Sequence, residues 1–191
     1  MTRRWVAGLA VGALLAGSAI AVATAPDNDA VVAPFLIAGR IGEPMSGRVL
    51  TVTVNSVELA DVLQVRYRDV PDLETSGVWV VVDATVTARL DTEVLSNSEL
   101  DIGGVRYRVS DALPAPTPLQ LSYGADVPQR STLVFEIPRS ALEAAGASRA
   151  SVVFLHRTDA QLDSVPVVVV DLASLDIQRS ARIDEVWVID Q

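Results

Sequence analysis

From Gly47 onward the chain alternates apolar and polar residues with a period of two, the pattern of strands with one dry and one wet face. Leu50, Val52 and Val54 alternate with Thr51, Thr53 and Asn55, after which Val57 and Leu59 take the opposite parity, so a bulge or bend is expected near Asn55. Leu63, Val65 and Tyr67 alternate with Gln64, Arg66 and Arg68 as a second, more exposed strand. The longest alternation runs from Val78 to Leu90. Val78, Val80, Val82, Ala84, Val86, Ala88 and Leu90 share one face, with Trp79, Val81, Asp83, Thr85, Thr87 and Arg89 on the other. This is the expected central core strand. Asp83 then falls on its wet face, where a cross-strand arginine is the expected partner.

Leu100 and Ile102, then Gly103-Gly104, then Val105 and Tyr107 spell a hairpin whose two-residue turn needs glycine for positive φ. Pro114 to Pro128 reads as a long connection with room for a short strand at Leu119 to Leu121. Leu133, Phe135 and Ile137 share one side of a strand that Pro138 ends. Ser140 and Glu143 have capping-box spacing, which predicts a helix of about two turns stopping before Gly146. Ser151 to His156 and Val165 to Leu172 are apolar enough to lie inside a sheet, and Val186 to Ile189 adds a last short strand. Short strands separated by turn signals predict an all-β, antiparallel sandwich with one short helix.

The front of the chain has a different pattern. Arg3 and Arg4 precede an uncharged apolar run from Trp5 to Thr24. At 1.5 Å per helical residue such a run covers a hydrocarbon core of about 30 Å, and the arginines before it against Asp27 and Asp29 after it orient the N-terminus inside. Residues 1–25 are therefore expected to be a transmembrane signal anchor, with a single-pass protein at the cell membrane and its domain outside. Small-x-small triplets at Ala19-Ile20-Ala21, Ala21-Val22-Ala23 and Ala23-Thr24-Ala25 keep open the alternative of a cleaved signal peptide and a secreted product. Residues 26–46 carry Pro26, Pro34, Pro44, Gly39 and Gly42 and read as a linker. Yet Phe35, Leu36 and Ile37 are too apolar for a solvated tether. This strip either packs back on the domain, which spans 47–191, or lies against the membrane surface or a partner.

A net charge of -9 argues against nucleic acid and anionic headgroups as partners. The chain has no cysteine, so neither disulfides nor a lipidated cysteine are open to it, and the fold must stand on burial alone.

Three phrases carry a resemblance: Gly47-Arg48-Val49-Leu50-Thr51-Val52-Thr53-Val54, Gly77-Val78-Trp79-Val80-Val81-Val82-Asp83-Ala84-Thr85-Val86-Thr87-Ala88-Arg89, and Thr132-Leu133-Val134-Phe135-Glu136-Ile137-Pro138. Together they resemble the core strands of the immunoglobulin-like domains on exported actinobacterial proteins and small bacterial lipoproteins. The secreted immunogenic β-sandwich protein of mycobacteria is a distant structural cousin of that group. The resemblance covers about residues 46–172 and departs from the lipoproteins in lacking their cysteine. It implies an immunoglobulin-like β-sandwich and an extracytoplasmic location, and it supplies no catalytic residues.

The residues themselves offer little catalytic chemistry. His156 is the single histidine, which leaves one candidate at most for any His-based triad or metal pair, and a structural or surface role is expected for it. No Gly-x-Ser-x-Gly is present, and without lysine there is no Ser-x-x-Lys. Asp69, Asp72 and Glu74 share one loop and are the first choice for a hard cation such as calcium, though without a complete calcium-loop spacing. Trp79 and Trp187 are indoles expected on wet strand faces, either cover for the sheet or anchors of a binding patch. The expectation is a non-catalytic, cofactor-free module for protein contact or assembly at the cell envelope. It would be membrane-bound through residues 5–24 and would meet another exported or membrane protein through Trp79, Trp187 or the Phe35-Leu36-Ile37 strip. The alternatives are an unrecognised metal-dependent hydrolase, an exported small-ligand or metal-ion binder, and a passive spacer.

Overall fold

The computed structural model describes residues 14–15, 17–18, 33–66, 70–113, 117–183 and 187–188. The chain divides into two compact units, Met1–Ala33 and Pro34–Gln191. In the first, Leu14, Leu15, Gly17 and Ser18 are helical. The remainder of the expected span at 5–24, with its cleavage triplets, lies outside the described residues. Among the described residues no helix is long and apolar enough to cross a membrane.

The second unit is built from β1 (Phe35–Gly39), β2 (Pro44–Ser46), β3 (Leu50–Val65), β4 (Leu73–Ala88), β5 (Glu93–Val94), β6 (Asn97–Ile102) and β7 (Val105–Arg108), followed by β8 (Ser122–Tyr123), β9 (Gln129–Ile137), β10 (Ala150–Leu155), β11 (Ser164–Val170), β12 (Ile177–Ile183) and β13 (Trp187–Val188). A five-stranded sheet, β1-β11-β10-β6-β7, and a six-stranded sheet, β12-β3-β4-β9-β13 with β2 on β3, make a β-sandwich; β5 and β8 form a small separate ribbon. Two seams depart from the antiparallel expectation. β1 runs parallel to β11, and β12 runs parallel to β3. Alternation fixes which residues are dry, not which distant strand lies alongside or in which direction.

β4 is central to its sheet, and its even residues Val78 to Ala88 all face the main core. There they meet Val52, Val54, Leu59, Leu133, Phe135, Val152, Phe154 and Val168, all under 2% exposed. Each such aliphatic side chain contributes about 1.5–3 kcal/mol on burial, the source of stability left to a chain without disulfides. The expected bulge lies between Val54 and Ser56, where Asn55 Nδ2 donates to Thr85 Oγ1. A second register break between Ala60 and Val62 joins what read as two strands into one, and it turns Leu63 and Val65 to the face opposite Leu59. Across from it β4 is irregular too. Gly77 passes so close to β9 that a Cβ there would stand 2.2 Å from the Ile137 carbonyl oxygen.

Leu63 and Val65 belong to a second, smaller core on the outer face of the six-stranded sheet, with Ala60, Trp79, Val81, Leu113, Val134, Ala181 and Ile183. The hairpin turn between β6 and β7 is as expected, with φ of 62° at Gly103 and 91° at Gly104. The two-turn helix is not. Single 3₁₀ turns, Arg139–Ala141 and Ala147–Arg149, take its place, the first begun by Pro138 without a side-chain cap. Ala141, Leu142 and Glu143 each donate three residues back, to Pro138, Arg139 and Ser140. Ser140 thus lies inside the turn and cannot cap it. A 3₁₀ turn also stands at Pro118–Gln120, where the connection had room for a strand, and β8 follows it.

Candidate functional site

The sequence-predicted contact residues meet different fates. Trp79 is 2% exposed, which corrects its assignment to a wet face: the outer face of β4 at this point is roofed by the second core. Its indole N–H donates to the Leu73 carbonyl at 3.2 Å. It is a core residue and not an exposed anchor. Trp187 lies in β13 opposite Arg130 of β9, and its side chain is outside the described residues. Asp69 is also outside them. Asp72 is exposed and accepts from Gln64 Nε2 at 3.2 Å, while Glu74 is exposed on β4 across from Val62. Among the described residues no three His, Asp or Glu side chains are grouped as a metal site. Asp83 has the expected cross-strand arginine: Arg130 Nε and Nη2 approach its carboxylate at 2.8 and 2.7 Å.

Phe35, Leu36 and Ile37 are brought together, as the edge strand of the five-stranded sheet. β1 has β11 on one side, and among the described residues no strand pairs the other. Phe35 and Leu36 are 63% and 62% exposed, while Ile37 is half-buried and packs on the main core. The strip thus packs back on the domain through Ile37, while Phe35 and Leu36 present apolar surface.

A polar bolt secures this edge. The Phe35 amide donates to the Asp163 carbonyl at 2.7 Å. The Asp163 side chain, in the turn before β11, is 5% exposed, and its Oδ1 accepts from the Ser164 amide at 2.9 Å. Arg48 Nη2 stands 3.4 Å from Oδ1. Oδ2 has no aligned hydrogen-bond donor; its neighbour by proximity is His156 Nδ1 at 2.9 Å. A carboxylate taken from water needs such company, since an unpaired buried charge is strongly unfavourable. His156 is itself held at the end of β10, where its carbonyl accepts from Ser96 Oγ at 2.6 Å. The lone histidine is thus packed against the Asp163 carboxylate at the end of this strand. Asp163 and Arg48 give no warning in sequence, because their pairing joins segments far apart in the chain. Leu162, beside Asp163, has φ of 55° and is 59% exposed, adding an apolar side chain at the same end of the sheet.

The second buried polar cluster is Tyr123 with Ser131. The phenol is wholly buried, in contact with Ser131 Oγ at 2.9 Å and the Pro118 carbonyl at 3.0 Å. Burial pushes it up to about 12, against a smaller opposing effect of the Ser131 hydrogen bond.

The chain is, on its own topology, a two-sheet β-sandwich. No protein-family model and no curated protein sequence matches it. Among solved structures it is similar to an uncharacterized β-sandwich protein from Clostridium difficile, at 12% identity and a TM-score of 0.47, covering 70% of this chain and 93% of that one. It is also similar to the yjhA protein of Bacillus subtilis, at 13% identity and a TM-score of 0.46, covering 68% and 98%. A third is the secreted protein MPT63 of Mycobacterium tuberculosis, at 14% identity and a TM-score of 0.46, covering 69% and 96%.

Proposed function

We propose that this chain is an exported, non-catalytic, immunoglobulin-like module that makes protein contacts at the cell envelope through the open edge of β1. Residues 5–24 hold it at the membrane with the domain outside; secretion after cleavage is the alternative the small-x-small triplets allow. The observation that carries the reading is the pairing of exposed Phe35 and Leu36 with an edge fixed by Asp163, because an unprotected apolar edge is an aggregation hazard unless something covers it. A strand edge recognises extended polypeptide by its main chain, with alternate side chains setting specificity.

The test is photo-crosslinking in intact cells, with a photoreactive side chain at Leu36 or, as a reference, at Leu90, which is 73% exposed elsewhere on the domain. A protein adduct at position 36 and none at 90 is the expected result. Equal labelling at both positions, or none at 36, overturns the reading. Protease added outside the cells should degrade the domain, and protection of residues 34–191 would remove the exported location.

A further inference from the structure

We propose that the occupant of the β1 edge is a second copy of this chain, paired antiparallel through β1 about a two-fold axis at Ile37. This rests on the reading above and names the partner. In a parallel ladder every second residue turns its backbone groups to the neighbour. The Phe35 amide bonds the Asp163 carbonyl, and Phe35, Ile37 and Gly39 lie in register with Ser164, Pro166 and Val168. The N–H and C=O of Leu36 and Ala38 therefore point to the open side. An antiparallel partner whose Ala38 lies opposite Leu36, and whose Leu36 lies opposite Ala38, satisfies all of these groups, and β1 itself is such a partner.

The side chains fit the same register. Leu36 meets Ala38 on the outer face, large against small, and Ile37 meets Ile37. Phe35 falls opposite Gly39, where Met45 fills the place a Cβ would take, and a ring beside that thioether is a favourable contact. Phe35–Gly39 carries no charge, so a chain of net charge -9 can approach itself here without like charges opposed. Pro34, which has no N–H, and Arg40 lie just outside the strand and limit the pairing to it. One strand pair of this length buries less than the roughly 1,000 Å² of a stable interface. The dimer is accordingly weak in dilute solution and is reinforced where copies are concentrated on one membrane.

The native chain lacks cysteine, so a single introduced thiol reports unambiguously. Opposed residues of a non-hydrogen-bonded antiparallel pair stand about 4.5 Å apart at Cα, within disulfide reach. The full chain carrying Ile37→Cys, in mild detergent with a copper oxidant, should form a disulfide-linked dimer at least ten times faster than the Leu90→Cys chain. Adding Leu36→Pro, which removes an outward-facing N–H and the outer-face leucine while leaving the hydrogen bonds to β11 in place, should slow Ile37→Cys to the Leu90→Cys rate. If Ile37→Cys and Leu90→Cys couple at equal rates, the proposal is overturned. Because Ile37 touches the core, sedimentation of the otherwise native chain is the second measurement: a concentration-dependent dimer abolished by Leu36→Pro supports the pairing, and a monomer at millimolar concentration overturns it. Should self-pairing fail while the Leu36 photo-adduct persists with a different mass, the edge is a contact surface for another protein and only the present inference falls.

Discussion

Replacing Asp163 with asparagine keeps the shape of the side chain and an acceptor for the Ser164 amide, and removes the charge that Arg48 and His156 face. Arg48 is 65% exposed, so its share is that of a surface pair, at most ~1 kcal/mol. His156 is 9% exposed and is left beside a neutral amide, where the loss of a buried partner costs ~1–3 kcal/mol. The expected destabilisation is thus roughly 1–4 kcal/mol, where a wholly buried ion pair would cost ~3–5 kcal/mol. Urea unfolding of the full chain gives the total, and a cycle with His156→Ala gives the coupling, expected at ~1–3 kcal/mol. Hydrogen exchange locates it. The Phe35 amide, bonded to the Asp163 carbonyl, should accelerate in the variant ahead of Val80 in the central strand. Stability within about 0.5 kcal/mol of the native chain, with Phe35 exchange unchanged, would refute the bolt.

Alkaline titration should weaken the fold through Tyr123. Its phenol ionises near 10.0 when unfolded and only at about 12 when folded, so the stability is fully present below 10 and lost as pH rises through 12, a change of about 2–3 kcal/mol. Tyr123→Phe should flatten the fall measured by denaturant unfolding between those values, and an unchanged slope counts against this origin. Trp79→Ala should cost ~3–5 kcal/mol as a large core truncation, against well under 1 kcal/mol were the indole a surface anchor; thermal or urea unfolding separates the two. Gly77→Ala should destabilise by more than 1 kcal/mol, since its Cβ would collide with the Ile137 carbonyl, and a neutral result would mean that β4 can move away from β9.

Local rules made much of the sandwich legible. The even residues of β4, the break at Asn55, the Gly103-Gly104 turn and the Asp83 partner each follow from spacing within one strand or hairpin. What escaped depends on distant segments. Parity correctly puts Trp79 opposite Val80, yet whether that side is wet depends on Leu113, Ala181 and Ile183 arriving from elsewhere to cover it. The same holds for the bolt, where Asp163 meets Arg48, and for the parallel seams. Of the candidate site, the apolar strip at Phe35 to Ile37 stood out in sequence because apolar residues in a Pro- and Gly-rich stretch conflict with a tether. Its role as a sheet edge did not, since β11 lies so far along the chain.

The two parallel seams each tie an early segment to a late one, β1 to β11 and β3 to β12. A polypeptide made from its N-terminus onward must therefore hold Phe35–Gly39 unzipped until Ser164–Val170 has emerged. Closure of the sandwich waits on the synthesis of β11 and β12, which makes folding slow relative to a hairpin-by-hairpin route and leaves the nascent strand in need of shelter until its mate arrives.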